Sequence, residues 1–224
     1  YDSFPYYGDI NAPRLEAGLY GTIERGTWNA KVYNYNSERG IPGAIVNNVW
    51  RRGERVWDTN SFFQGSFVKE VNDQFKTQVN AKYAFYRTHY VNNDDKLIEV
   101  DNLYKQREVY VSTANMYTIF PFWDVSMSYD FQWNEMKADM YGFVFPTRFT
   151  NLLSIATALR LGKVKLQGSG LATFVNDQVK EGPAPKARQI LTPAVFLSYK
   201  PFDKHDFSLR AFYKKTFRMP TFND

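Results

Sequence analysis

The sequence predicts an all-β fold, an antiparallel up-and-down transmembrane β-barrel, and three observations in its 224 residues favour it. Apolar and polar residues alternate with a period of two, in about ten runs separated by turn residues. The runs extend over roughly 10 to 16 residues, and about 9 to 11 suffice for a tilted strand to cross a bilayer. Short turns and long polar connections alternate, so each strand is expected to pair with its sequence neighbour.

The first two runs predict a β-hairpin. A two-residue turn is expected at Arg25 and Gly26, between runs whose apolar residues all fall on one face. That face carries Leu15, Ala17, Leu19, Gly21 and Ile23 in the first run and Trp28, Ala30 and Val32 in the second.

The later runs repeat this pattern. The clearest has a tryptophan at each end of its apolar stripe, which is typical of an aromatic girdle at two membrane interfaces. That stripe is Trp123, Val125, Met127, Tyr129, Phe131 and Trp133. Other stripes are Phe75, Thr77, Val79, Ala81, Tyr83 and Phe85; Phe149, Asn151, Leu153, Ile155, Thr157 and Leu159; Val164, Leu166, Gly168, Gly170, Ala172 and Phe174; Leu191, Val195, Leu197 and Tyr199; and Phe207, Leu209, Ala211 and Tyr213. Strands at about 59–70 and 107–117 fit less well.

Connection lengths give an independent indication of topology. Besides the first turn, short turns are predicted near Asn72-Asp73, at 120–122, at 161–163 and at 201–204. Long connections are predicted at 37–58, 92–103, 137–147 and 176–187. This order places all long connections at the same end of the sheet.

A soluble β-sandwich is the main alternative fold, because it alternates in the same way. Its strands average about 5 or 6 residues, shorter than these runs. Small residues in the apolar stripes would leave voids in a packed core, whereas lipid chains conform to them. These residues are Ala30, Gly65, Ala81, Gly168 and Gly170. Pro193 lies inside an apolar run and predicts a bulge or a misplaced strand.

Composition excludes several classes of protein. Aromatic residues make up 18% of the chain, which excludes a mainly disordered segment. Without cysteine there are no disulfides, cysteine-ligated zinc sites or thiol chemistry. The net charge of +5 is spread thinly, so nucleic-acid binding is not expected. The chain starts at Tyr1 without a leader pattern, and we expect a cut inside a longer protein.

The end of the sequence carries a family resemblance. Phe217, Arg218, Met219, Pro220, Thr221, Phe222, Asn223 and Asp224 spell FRMPTFND. This resembles a segment in the barrel of TonB-dependent outer-membrane receptors, particularly those of Bacteroidetes-type bacteria. The stretch from Tyr35 to Val49, which contains SERGIPGAIVNN, also resembles a recurrent segment of those receptors.

The resemblance implies a 22-stranded barrel filled by a plug domain. Residues 1–224 would then be part of the barrel domain, a segment of about ten strands without the plug or the barrel's C-terminus. It implies a multi-pass protein of the bacterial outer membrane that takes up a bulky, scarce nutrient with energy from TonB. The nutrient would be an iron siderophore, haem, cobalamin or a glycan. The partners implied are outer-membrane lipid, the plug, the TonB complex and, in some systems, a surface lipoprotein.

Candidate ligand-binding residues lie in the long connections and nearby strand ends. Trp50, Arg51, Arg52 and Trp57 form an aromatic and basic cluster in the first long connection, suited to stacking on a sugar or pairing with an anion. Tyr33, Tyr35, Tyr86 and Tyr90 lie near the same rim. Loop packing or contact with lipopolysaccharide is the simpler explanation of the first cluster, and an interfacial tyrosine belt also explains the second.

Other chemistry has weaker support. His89 could ligate haem iron at a strand end, and Asn92, Asn93, Asp94 and Asp95 could bind calcium, but both fit an ordinary solvated turn. No G-x-S-x-G or P-loop motif is present, so we predict neither catalytic residues nor a cofactor or metal site. A passive porin or adhesin-type barrel remains the alternative function, ahead of a rim-active outer-membrane hydrolase.

Overall fold

The computed structural model describes residues 8–41, 45–46, 49–50, 54–92, 99–202 and 205–217. These residues form thirteen antiparallel strands and no helix, which confirms the all-β prediction for the described part. The strands are β1 (Ile10–Asn11), β2 (Arg14–Ile23), β3 (Gly26–Ile41), β4 (Ile45–Val46), β5 (Val49–Trp50), β6 (Glu54–Glu70), β7 (Phe75–Asn92), β8 (Val100–Phe120), β9 (Trp123–Ala138), β10 (Thr147–Leu161), β11 (Val164–Gln178), β12 (Arg188–Tyr199) and β13 (Leu209–Lys214).

Eleven strands form one sheet in an up-and-down order. Its order is β1-β3-β6-β7-β8-β9-β10-β11-β12-β13, and β2 also pairs with β3. Because β1 and β2 both lie along β3, on either side of residues 12–13, the sheet has ten strand positions. Strands β4 and β5 form a separate small hairpin. The described residues leave the sheet open, with β1 and β2 at one edge and β13 at the other.

No helix long and apolar enough to span a membrane occurs among the described residues.

The two faces of the sheet differ sharply in chemistry. Residues that lie opposite each other on successive strands share a face, and we call such a set a row. One row of the apolar face contains Gly21, Trp28, Phe67, Val79, Thr113, Tyr129, Leu153, Ala172 and Leu191. The adjacent row of the polar face contains Tyr20, Asn29, Ser66, Asn80, Ser112, Asp130, Leu152, Thr173 and Ile190. The predicted assignment of apolar stripes to a single face is confirmed.

Burial is inverted relative to a water-soluble protein. Leu19 is 70% exposed and Ile155 54% exposed on the apolar face, whereas Ala84 on the polar face is 0% exposed. The buried residues within the strands all lie on the polar face: Ser37, Val56, Ala84, Asn92, Ser112, Asn134, Ala138, Thr150, Thr173 and Val175. The remaining buried residue of the described part, Pro146, lies in the connection before β10. Side chains therefore crowd together on the polar face, which indicates that it is the concave one. We call the polar face the inner face and the apolar face the outer face.

The apolar band on the outer face runs obliquely across the strands. Its centre in β2 is Leu19, and the row through Leu19 reaches Gln189 in β12. The centre of the band in β12 is Val195, six residues farther along (189 to 195). At ~3.3 Å per residue and ~4.8 Å per strand, this offset over eight strand steps tilts the band by roughly 25–30°.

Strands run farther than the alternating pattern predicted. Strand β3 continues to Ile41 and β6 begins at Glu54, so the first long connection is residues 42–53 rather than 37–58. The other long connections likewise shorten to 93–99, 139–146 and 179–187. The reason is that polar residues occupy both faces beyond the apolar band, where hydrogen bonding continues without alternation.

Two local predictions were wrong. The first turn is Glu24-Arg25, where Arg25 has φ 55° and forms an ion pair with Asp73 at 2.6 Å. Pro193 causes no bulge, because β12 keeps its register with Gly170 opposite Pro193. The carbonyl of Pro193 accepts from Lys215, just beyond the end of β13. The nitrogen of Pro193, which has no hydrogen to donate, therefore points toward the chain just after β13, so the pairing of β12 with β13 loses no hydrogen bond.

Gly26 serves close packing rather than the turn. A Cβ at Gly26 would lie 2.6 Å from the carbonyl oxygen of Val68, a backbone atom that cannot move easily. We expect Gly26→Ala to lower the free energy of unfolding by about 1–3 kcal/mol, measured by urea titration in detergent micelles. Gly170→Ala is the control, because nothing lies within 4 Å of its Cβ position. Equal effects of the two substitutions would contradict the close contact at Gly26.

Candidate functional site

Aromatic and charged side chains meet on the inner face where β2, β3, β6, β7 and β8 are adjacent. Alternation directs every second residue of these strands inward, and the register sets which of them become neighbours. We call this group the wall cluster. It consists of Arg14, Glu16, Lys31, Tyr33, Phe62, Lys82, Tyr86 and Glu108.

Two stacked rings form the middle of the wall cluster. Tyr33 and Phe62 are opposite each other on β3 and β6, and their ring centroids lie 4.8 Å apart at an interplanar angle of 16°. The Arg14 guanidinium lies 5.1 Å from the Tyr33 centroid and also pairs with Glu16. Glu16 pairs in addition with Lys31 at 2.6 Å. The rings are thus held between charged groups that are already compensated.

Lys82 connects the rings to the next strands. Its Nζ donates to Glu108 Oε1 at 3.0 Å and to the Tyr86 hydroxyl at 3.2 Å. The same ammonium group lies 5.7 Å from the Phe62 centroid and 5.9 Å from the Tyr86 centroid. Since its side chain is half-buried, both the carboxylate and the ring faces stabilise the charge.

The wall cluster offers a stacking surface edged by fixed charges. Planar or sugar-like faces can stack on the rings, and hydroxyl groups can bond to the carboxylates and ammonium groups around them. Its residues belong to strands rather than loops, so little side-chain ordering is needed on binding. These properties are suited to the passage or weak binding of a polar, ring-containing molecule.

The four predicted tyrosines all lie on the inner face. Tyr33 and Tyr86 belong to the wall cluster, and Tyr35 lies in the same row as Tyr86, with Asn60 between them. Tyr90 lies two rows farther toward the long connections. There, burial and a hydrogen bond to the Glu54 carboxylate raise the pKa of Tyr90.

The predicted placement of Trp57 in the first long connection was wrong. Trp57 lies in β6, not in a connection, and it faces outward. Its ring stacks on His89 with centroids 5.2 Å apart. Trp50 ends the short strand β5, and Arg51 and Arg52 lie outside the described residues.

The remaining predicted residues are distributed as follows. His89 Nε2 lies 2.6 Å from Asp101 Oδ1 on the outer face, and His205 lies beside Phe202. Asn92 is buried at the end of β7, and residues 93–95 lie outside the described part. Within the described ranges, no three His, Asp or Glu residues are close enough to hold a metal ion. Phe217 follows β13, and residues 218–224 of the family-like motif lie beyond the described residues.

Sequence reasoning missed Arg14, Phe62 and Glu108. Phe62 is followed by Phe63, and strict alternation predicts that one ring faces inward and the other outward. The sequence did not show which of the two rings faces inward, because the run from 59 to 70 alternates poorly. The contact of Lys82 with Glu108 depends on the register of β7 and β8, which has no local sequence signal.

The stacked position of Phe62 gives a testable effect. Phe62→Leu removes ring contacts with Tyr33 and Lys82, and we expect it to lower the free energy of unfolding by about 1 kcal/mol. The control is Phe63→Leu, on the outer face one residue away, with an expected change of less than about 0.5 kcal/mol. Denaturant titration in micelles compares the two. A larger loss for Phe63→Leu would contradict the assignment of faces.

No family model matches the chain, and no curated protein matches it either.

Proposed function

We propose that this chain forms an arc of a TonB-dependent receptor barrel in the bacterial outer membrane, and that the intact protein takes up a bulky, scarce nutrient. The observation that carries the proposal is the inverted burial of the sheet. An exposed apolar face opposite a polar concave face is the arrangement of a membrane barrel with a wet lumen. The same sheet in water would expose large apolar residues across its whole width.

The oblique apolar band supports the barrel. Strands in a barrel tilt by about 35–45° from the axis, so a level membrane must cross the hydrogen-bonded rows at an angle. The observed band tilts by roughly 25–30°. Aromatic residues occur at both borders, with Phe120, Phe122 and Trp123 clustered at one short turn and Trp133 at the opposite end of the apolar stripe of β9.

The inner face supports the presence of a plug. Small side chains form a continuous area on β8 to β12 toward the short turns, where a second body can approach the sheet closely. This area consists of Ala114, Ser126, Ser128, Ser154, Ala156, Ser169 and Ala194. The wall cluster lies toward the long connections, where a ligand entering from outside would meet it. The FRMPTFND resemblance supports the family within this class.

Growth of the source bacterium tests the function. The gene encoding this chain is deleted, and growth is compared on single sources of iron, cobalamin and complex glycans. We expect a defect on one nutrient, rescued by the intact gene but not by a version lacking its TonB-contacting region. Rescue without that region would contradict energised uptake and favour a passive porin. The absence of any nutrient defect would favour an adhesin.

A further inference from the structure

Three cations occupy adjacent positions in one row of the outer face. Arg87 on β7 lies opposite Lys105 on β8, and Lys105 lies opposite Lys137 on β9. Residues opposite each other on antiparallel strands have Cα atoms only ~4.5–5.5 Å apart. Like charges in such positions destabilise a sheet, so an anion bound to this row would stabilise it.

The carboxylates around the row compensate it only in part. Glu135 pairs with Lys137 at 3.1 Å, and Asp101 contacts His89. Among the described residues, Arg87 and Lys105 have no carboxylate within ion-pair distance, nor does Arg107, which adds a fourth cation on the same face. The side chains of Arg87, Lys105 and Arg107 are exposed.

The position of the row relative to the apolar band identifies the anion. The continuous apolar stripe on these strands ends at Phe85, Val109 and Trp133, and Val91 and Leu103 are single apolar residues farther out on the same face. Each cation lies two to four positions from the end of its strand's stripe, on the side of the long connections, which is roughly 7–13 Å at the strand rise. If the band lies in the hydrocarbon core, the cations lie at the depth of the lipid headgroups.

We propose that Arg87, Lys105 and Lys137 bind the phosphate group of a membrane lipid on the side of the long connections. This inference rests on the proposed membrane location. A lipid phosphate fits because its acyl chains would lie against the adjacent apolar band while its charge neutralises the row. A free phosphate would neutralise the row but would make no contact with the apolar band. The outward-facing row is separate from the wall cluster, which lies on the inner face.

Binding can be measured with the full chain in dodecyl maltoside micelles at low salt. Phosphatidic acid with brominated acyl chains quenches tryptophan fluorescence when it binds, and Trp133 lies four residues from Lys137 on the same face. Diacylglycerol with the same brominated chains is the control, because it lacks the phosphate group. We expect saturable quenching by phosphatidic acid, and inorganic phosphate should not displace it.

The variant Arg87→Gln/Lys105→Gln/Lys137→Gln removes the row. Since each cation near a membrane contributes about fivefold to the binding of anionic lipid, we expect an apparent Kd for phosphatidic acid roughly a hundredfold higher. The matched control is Lys165→Gln/Lys186→Gln/Arg210→Gln, which removes the same three charges from exposed positions elsewhere. We expect its Kd to stay within about twofold of the wild type.

Each other outcome has a definite meaning. Equal, strong quenching by the two lipids would overturn the phosphate site while leaving the apolar band in contact with acyl chains. Quenching by neither lipid would overturn the membrane location and this inference with it. Displacement of phosphatidic acid by inorganic phosphate would show a general anion site and overturn the lipid assignment. If the triple variant had a lower free energy of unfolding than the wild type in lipid-free micelles, by as much as in the presence of phosphatidic acid, the cations would serve the protein's own carboxylates and not a lipid phosphate.

Discussion

Val79→Arg is expected to lower the free energy of unfolding in liposomes by about 2–4 kcal/mol, because it places a charge near the middle of the bilayer. Val79 lies on the outer face of β7, close to the centre of an apolar stripe that runs from Phe75 to Phe85. Its side chain is 40% exposed and contacts lipid in the proposed barrel. Guanidinium titration in liposomes, followed by tryptophan fluorescence, measures the change.

The adjacent Gln78 provides the matched control. It lies on the inner face of the same strand, is also exposed, and donates a hydrogen bond to Asn80 at 3.1 Å. In a barrel, Gln78→Arg would point into a wet lumen, and we expect a change of less than about 1 kcal/mol. In water, exposed substitutions on the two faces have similar, small effects. Similar losses for Val79→Arg and Gln78→Arg would therefore contradict the membrane barrel.

The sequence was sufficient to predict the strands and their faces because the alternating pattern directly reflects the two environments. Leu19 and Val79 fall on the same face in the structure, as the period of two requires. Strand ends could not be predicted in the same way. Around Glu38 and Trp57 the two strands remain paired although both faces carry polar groups. Hydrogen bonding between backbones sets those ends, and it leaves no mark on side-chain polarity.

The turn at Glu24-Arg25 shows a second limit of sequence reasoning. A glycine beside a turn usually supplies a positive φ, and that rule predicted Gly26 inside the turn. Here Arg25 takes the positive φ, and Gly26 is required because β6 passes close to it. The close approach of Val68 depends on a strand about forty residues away, so no local pattern could reveal it.

The wall cluster was predictable in its residue types but not in its contacts. Tyr33 and Tyr86 were identified from their position near the rim, but Phe62 and Lys82 connect them only through the register of three strands, β3, β6 and β7. A one-residue slip would turn each of these side chains to the opposite face. The alternating pattern therefore fixes the face of a residue, while its neighbours along a row require the three-dimensional structure.

Asp177→Ala is expected to lower the free energy of unfolding by about 3 kcal/mol, because it removes the bidentate Asp177 carboxylate that compensates the largely buried charge of Arg148. Arg148 Nε lies 2.6 Å from Asp177 Oδ1, and its Nη2 lies 2.9 Å from Oδ2, so the pair is bidentate. The side chains are only 11% and 13% exposed, next to the buried Asn134 and Val175 on the inner face. Urea titration in micelles measures the loss.

Two comparisons separate this pair from ordinary surface charges. Asp206→Ala breaks the ion pair between Lys200 and the fully exposed carboxylate of Asp206. We expect it to lower the free energy of unfolding by less than about 0.5 kcal/mol. Arg148→Met/Asp177→Leu removes both charges and should be less destabilising than Asp177→Ala alone, because no guanidinium charge is left that has lost the Asp177 carboxylate. If Asp177→Ala has as small an effect as Asp206→Ala, water must reach the guanidinium freely. The inner face near β10 and β11 would then be open to solvent rather than crowded.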